Sequence, residues 1–386
     1  MNPELHGVFE DGPALRLQRS LRLRKVSAAR TAIVAAGIAW LPLALLAAAH
    51  GDLFEAGGAG PFLRDFAVHA RYLLAVPLLV VAERGCIVQL SLLAAHFLRS
   101  GLVIVADQPR FAAAMASTRQ WQDAAPVAIA MVLVAYAILG ATLWYVWPVQ
   151  IPVWHAAMRG SGRIFSPAGW WHLTVSAPLL LVLLLGWLWR LCVWVRFLWF
   201  MSRLSLKLMP THPDGIAGLR FVSDSITACM PFAFALGAMV AGVVANRTVN
   251  EGATLASCVY LVLGFVASLV AVLASPLLMF TGRLLAQWRR SVLEYDTLVT
   301  RSWNEFEQAW GGRSEDLAGS PQAAVAASQT FGLFSLVSKA YRMQLLPLDL
   351  RSVMLLAVSA LVPFVPVTLI VVPFDTVVRN LAQFVI

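Results

Sequence analysis

Glu83 and Arg84 are the residues of this chain whose chemistry is hardest to hide. They stand side by side inside an apolar run, with Tyr72 to Ala82 before them and Cys86 to Phe97 after. A bare charge near the centre of a bilayer costs about 2.5–3.5 kcal/mol on insertion scales, so it turns towards a partner or a water-filled cavity. Neighbours on a helix point roughly 100° apart and cannot simply neutralise each other. At least one of the two therefore needs a partner from another helix. His69, Val76 and Glu83 recur every seven residues, which puts His69 and Glu83 on one face of a regular helix. Such a stripe suits a permeation path, and it suits a structural hydrogen-bond network between helices equally well.

Arg190 and Arg196 are the next charges inside apolar sequence, set among Trp187, Trp189, Trp194 and Trp199. Snorkelling to lipid headgroups, with indole faces as cation–π partners, accounts for them. A basic ring lining an inner mouth would use the same residues and would favour anions.

The elements that hold these residues follow from composition. Of 386 residues, 60% are hydrophobic and 13% charged, against about 45–50% and about 25% in soluble domains. The mean hydropathy is +0.75. A bilayer core of about 30 Å needs roughly 20 apolar residues per helix, and seven stretches qualify: about 29–49, 71–98, 125–147, 170–200, 226–246, 254–280 and 353–373. The expected fold is an all-α polytopic transmembrane bundle. The basic residues orient it. With the N-terminus cytoplasmic, 20 of the 29 Lys and Arg fall inside, 6 outside and 3 within helices, as the positive-inside rule requires. Trp144, Tyr145, Trp147, Trp170 and Trp171 mark one interface and Trp194 and Trp199 the other. Pro363, Pro366 and Pro373 interrupt the last span, which leaves a re-entrant hairpin open as its alternative. The first apolar stretch reads as a retained helix and not as a cleaved signal peptide.

The chain divides into a basic N-terminal segment over 1–28, six spans within 29–282, a cytoplasmic helical hairpin over 283–350, and a last span with a short tail over 351–386. The Leu15–Val26 stretch is polybasic and would contact anionic inner-leaflet lipids. That contact and the topology absorb the net charge of +9, so nucleic acid is not an expected partner. The hairpin opens with a seam, Leu285, Trp288, Val292, Tyr295, Val299, Trp303, Phe306 and Trp310, at spacings of three and four. Gly311 and Gly312 stop it. Ser320 and Pro321 fit the start of a second helix. Trp288, Tyr295, Trp303, Phe306 and Trp310 pack within the hairpin, lie on the membrane, or contact a partner or a second copy. A shorter amphipathic piece, about 107–124, should lie along the inner surface. Small residues at Gly237 with Ala241, and Ala238 with Gly242, permit close helix contact. Whether that contact falls within or between subunits stays open.

The loop Thr211-His212-Pro213-Asp214-Gly215-Ile216-Ala217-Gly218-Leu219 contains a turn that proline and glycine specify. Together with Pro347-Leu348-Asp349-Leu350-Arg351 and Pro363-Phe364-Val365-Pro366, it resembles an uncharacterised family of bacterial multi-pass inner-membrane proteins. The resemblance covers roughly the fourth to seventh spans. It implies the localisation but no activity and no site residue.

Catalytic signatures are missing: there is no G-x-S-x-G, H-E-x-x-H, Walker loop or G-x-G-x-x-G. Cys86, Cys192, Cys229 and Cys258 lie in apolar sequence without metal or disulfide spacing. Neither cofactor nor metal is expected, nor is enzymatic activity. The sequence points to an oligomeric channel or transporter-like protein for a small ion, with His69, Glu83 and Arg84 as polar-path candidates. The alternative is a non-transporting scaffold or sensor that binds a cytoplasmic partner through the hairpin.

Overall fold

The computed structural model describes residues 27–51, 53, 62–122, 124–146, 154–159, 162–310, 332 and 334–371. The chain is a bundle of long apolar helices, as composition requires. α1 (Ala28–Ala49) starts at Ser27, whose hydroxyl caps Arg30 N–H. α2 runs over Phe66–Arg99, α3 over Gln108–Gln122 and α4 over Ala125–Val146. A two-stranded antiparallel hairpin, β1 (Ala156–Arg159) and β2 (Gly162–Phe165), then leads to α5 (Pro167–Arg203). The short α6 (Arg220–Ala228) precedes α7 (Met230–Val249). α8 (Leu255–Ala274) passes through a 3-10 turn, Ser275–Phe280, into α9 (Thr281–Trp310). α10 (Leu350–Leu361) and α11 (Phe364–Val371) close the order.

Among the described residues, six helices are long and apolar enough to cross a membrane: α1, α2, α4, α5, α7 and α8 with α9. α10 and α11 form a bent pair at 43° that makes a seventh if it is one span. The bend falls at Val362-Pro363, where proline removes a backbone donor. The only departure from helix in named elements among the described residues is the β1–β2 hairpin, on the side with few basic residues. The basic N-terminal segment, the turn at Gly311-Gly312, the Ser320-Pro321 start and the tail from Thr376 lie outside the described residues. So do the side chains of Phe306 and Trp310.

Three of the prolines show how a membrane helix tolerates them. Proline offers no N–H to the carbonyl four residues back, and hydrocarbon cannot satisfy that oxygen. Here other groups do. Trp171 Nε1 donates to Ile38 O (3.2 Å), the carbonyl freed by Pro42. Tyr136 donates to Thr174 O (2.9 Å), freed by Pro178. Ser275 donates to Val272 O (3.1 Å), freed by Pro276.

α7 sits at the centre, and its small residues face two different neighbours. A Cβ at Gly237 would overlap the carbonyl of Ala360 in α10. A Cβ at Gly242 would stand 2.6 Å from Ala70 Cβ and 2.9 Å from Phe66 O in α2. Both close approaches are within the chain.

Candidate functional site

α2 and α5 are built alike. Asp65 caps the start of α2 by accepting from Val68 N–H, and Ser166 caps α5 by accepting from Gly169 N–H. Each helix then widens into a π-helical turn, Ala70–Ala75 in α2 and His172–Ser176 in α5. A proline follows, Pro77 and Pro178, each twelve residues beyond its cap. By the distribution of basic residues, both helices run from the side with few of them towards the side with many. π turns are rare and concentrate at functional sites, so a matched pair in adjacent spans marks where this bundle is specialised.

The two helices are clasped at two levels. Deep in the bundle, Arg190 of α5 donates through Nη2 to Glu83 Oε1 of α2. Glu83 is 3% exposed and Arg190 5%. One turn earlier on both helices, Trp187 Nε1 donates to Leu79 O (3.1 Å). The Arg190 guanidinium lies over the Trp187 ring at 4.9 Å, and that ring stacks on Phe232 of α7. Trp187 and Arg190 are three residues apart, and Leu79 and Glu83 four, so one face of each helix makes the whole grip. Arg190 Nη1 is buried without a hydrogen-bond partner among the described residues.

At the outer level the π turns themselves meet: Tyr72 Oη lies 3.5 Å from His172 Nε2. Above them Trp154 plugs the bundle, 2% exposed. Its indole donates to Asp65 Oδ2 (3.1 Å). Asp65 Oδ1 also accepts from Asn246 Nδ2 (2.8 Å) of α7. His155 packs edge-on to His172, with ring centroids 4.5 Å apart. Burial pushes His155 down to about 4, with Asp65 pulling the other way.

These contacts bear on three expectations. His69 is engaged apart from Glu83. Its Nδ1 accepts from Trp40 Nε1 (2.9 Å), so Nε2 carries the proton and donates to Leu63 O (3.2 Å). It is a satisfied ring near the outer end, and the π turn between residues 69 and 76 breaks the seven-residue register. Arg190 is buried as the counter-charge of Glu83, and its guanidinium has the expected indole face in Trp187. Arg196 is half-buried and ties α5 to α3: it donates to Ser117 Oγ (2.7 Å) and lies over Trp121 at 4.6 Å. Arg84 is half-buried on the adjoining side of α2.

On the side rich in basic residues, two of the three stretches that carried the family resemblance, the 211–219 loop and residues 347–351, lock together. Asp214 accepts from the N–H groups of Ile216 (2.9 Å), Gly218 (3.1 Å) and Arg220 (3.2 Å). Gln344 N–H donates to Gly215 O (2.8 Å), and Arg220 pairs with Asp349 (3.2 Å). Ser223 donates to Pro347 O (2.9 Å). Beside this knot, Asp107 does not only start α3; it accepts from Ser205 N–H (2.8 Å) and holds the two inner loops together.

α8 and α9 form one rod, with Leu255–Asn304 passing as a continuous stretch. Trp288 packs on the core, and Tyr295 is half-buried. Trp303 is 50% exposed although its ring meets Phe334, 6.1 Å away in a T-shape. At this point the seam meets the chain's own Phe334, which opens the helical stretch 334–341.

No protein-family model matches the chain, and no curated protein or solved structure does either.

Proposed function

We propose that this integral membrane protein moves a small ion across the bacterial inner membrane, as a homo-oligomer, and that the described state is closed. The observation that carries this reading is the Glu83–Arg190 pair, held inside two spans that each carry a π turn and a proline. Intramembrane charges are expensive and mark ion pathways by default, and broken helices supply the hinges of transporters. With both side chains almost wholly buried, water does not reach the pair, so a path must open by parting α2 from α5. Arg190 Nη1 is a buried charged donor without a hydrogen-bond partner among the described residues, which favours an anion over a cation as the species moved. α4 leaves most of its apolar surface uncovered by the chain, which is room for lipid or a second copy.

The test is flux in liposomes with purified protein. Wild type is expected to release halide faster than potassium. Arg190→Gln should cut halide flux at least tenfold. Glu83→Gln, which frees the guanidinium, should raise it. Monodisperse elution of each variant separates a lost path from a lost fold. If wild type passes no ion over the range of pH and voltage, or if both variants match it, the transport reading fails.

The second reading is a scaffold or sensor, favoured by the rod that carries an aromatic seam out of the bilayer. A photocrosslinker placed at Trp303 should then capture a cytoplasmic partner. Adducts confined to the chain's own residues around Phe334 would oppose it.

A further inference from the structure

A cavity of about 190 Å³ opens between α7, α8 and α11, away from the Glu83–Arg190 clasp. Its walls are Val244 on α7, Leu255, Cys258, Val259, Val262 and Leu263 on α8, and Phe364, Val367 and Thr368 on α11. Thr368 bends its hydroxyl back to Val365 O (2.8 Å), so the groove offers hydrocarbon and a sulfur but no free polar group. Its α11 wall follows the 43° bend at Val362-Pro363. Val259 is 46% exposed and Leu263 59%, so the slot opens sideways towards the bilayer.

We infer that the groove is a site for one acyl chain of an outer-leaflet phospholipid whose phosphate is held by Arg247. Two observations choose this occupant. The first is access. A lateral opening among spanning helices admits what is dissolved in the bilayer, and a wholly apolar lining accepts hydrocarbon. An engineered apolar cavity of about 150 Å³ takes up benzene, so 190 Å³ holds several methylenes. The second is charge placed at the right height. Arg247 is one helical turn outward from Val244 on the same side of α7. It is exposed at the last turn of the helix, where its carbonyl anchors the outer loop by accepting from Ala253 N–H (2.9 Å). From Leu255 to Leu263 the groove wall descends about 12 Å at 1.5 Å per residue. A phosphate at Arg247 thus sits at the headgroup layer while one tail follows the wall inward.

Native mass spectrometry of the full chain in mild detergent reads the occupant. Wild type is expected to retain one phospholipid mass. Cys258→Trp, which fills the slot, and Arg247→Gln, which removes the phosphate contact, should each lower retention at least fivefold. Arg351→Gln, on the other side of the bundle, should not. Should the tryptophan variant fail to fold, a photocrosslinker at Val259 in growing cells gives an independent reading, with phospholipid adducts expected. Unchanged retention in the folded variants, or crosslinks from Val259 to residues 372–386 or to a second copy, would overturn the assignment.

Discussion

Glu83 announced itself in the sequence because hydrocarbon leaves a carboxylate no solvation, and the need for a partner on another helix followed at once. Which residue answers it did not. Arg190 lies 107 positions away in a stretch rich in tryptophan, where snorkelling explains a cation without any partner. Pairing across helices depends on how each is rotated about its axis, and a π turn changes that rotation without altering composition. The same turn explains why His69 parted from Glu83. Residue-level reading also passed over His155. Its ring is hemmed in by Trp154, Phe165 and His172, and burial lowers it to about 4. A histidine held neutral in the native state, against about 6.5 when unfolded, contributes stability that is fully present above the unfolded value. That contribution is lost as pH falls from about 6.5 towards 4, because the unfolded chain then binds the extra proton. The plug should therefore loosen in that window, by up to roughly 3–4 kcal/mol at 1.36 kcal/mol per unit. Thermal unfolding in detergent should show a falling midpoint between pH 7 and pH 4. His155→Gln should flatten that slope, and an unchanged slope would refute the assignment.

At the scale of elements, spans were legible because length and apolarity are the two demands a bilayer makes. The internal likeness of α2 and α5 was written in the sequence as well, as Asp65 to Pro77 and Ser166 to Pro178, but only cap geometry makes that spacing meaningful. The small residues of α7 were visible as a pattern and silent about their neighbours. The structure assigns Gly237 to α10 and Gly242 to α2. Gly242→Ala is the informative change. Its Cβ meets the α2 backbone near Phe66 O at 2.9 Å and Ala70 Cβ at 2.6 Å, so the helices must separate. Overpacking of this kind costs typically 1–3 kcal/mol. Gly264→Ala, where a Cβ meets nothing within 4 Å, should cost nothing comparable. Midpoints of thermal unfolding in detergent compare the two, and equal values would mean that α7 is not the packing centre.

For the whole molecule, topology is the claim on which inner and outer depend. It rests on the uneven distribution of basic residues. Two exposed positions test it without disturbing the core: Glu251 in the loop after α7 and Glu294 on α9. In a chain lacking Cys86, Cys192, Cys229 and Cys258, a membrane-impermeant maleimide applied to intact spheroplasts should label Glu251→Cys and leave Glu294→Cys untouched. Inverted vesicles should give the reverse, and labelling of both from one side would break the seven-span arrangement.

The rod made by α8 and α9 has a mechanical consequence. Its 3-10 turn at Ser275–Phe280 falls where the apolar α8 gives way to the more polar α9, and the arm beyond it has 30 residues, about 45 Å at 1.5 Å each. A tilt of roughly 10° at that fulcrum would sweep the far tip by about 8 Å. Sub-ångström shifts among the buried helices would thus be magnified into a displacement large enough for another molecule in the cytoplasm to feel.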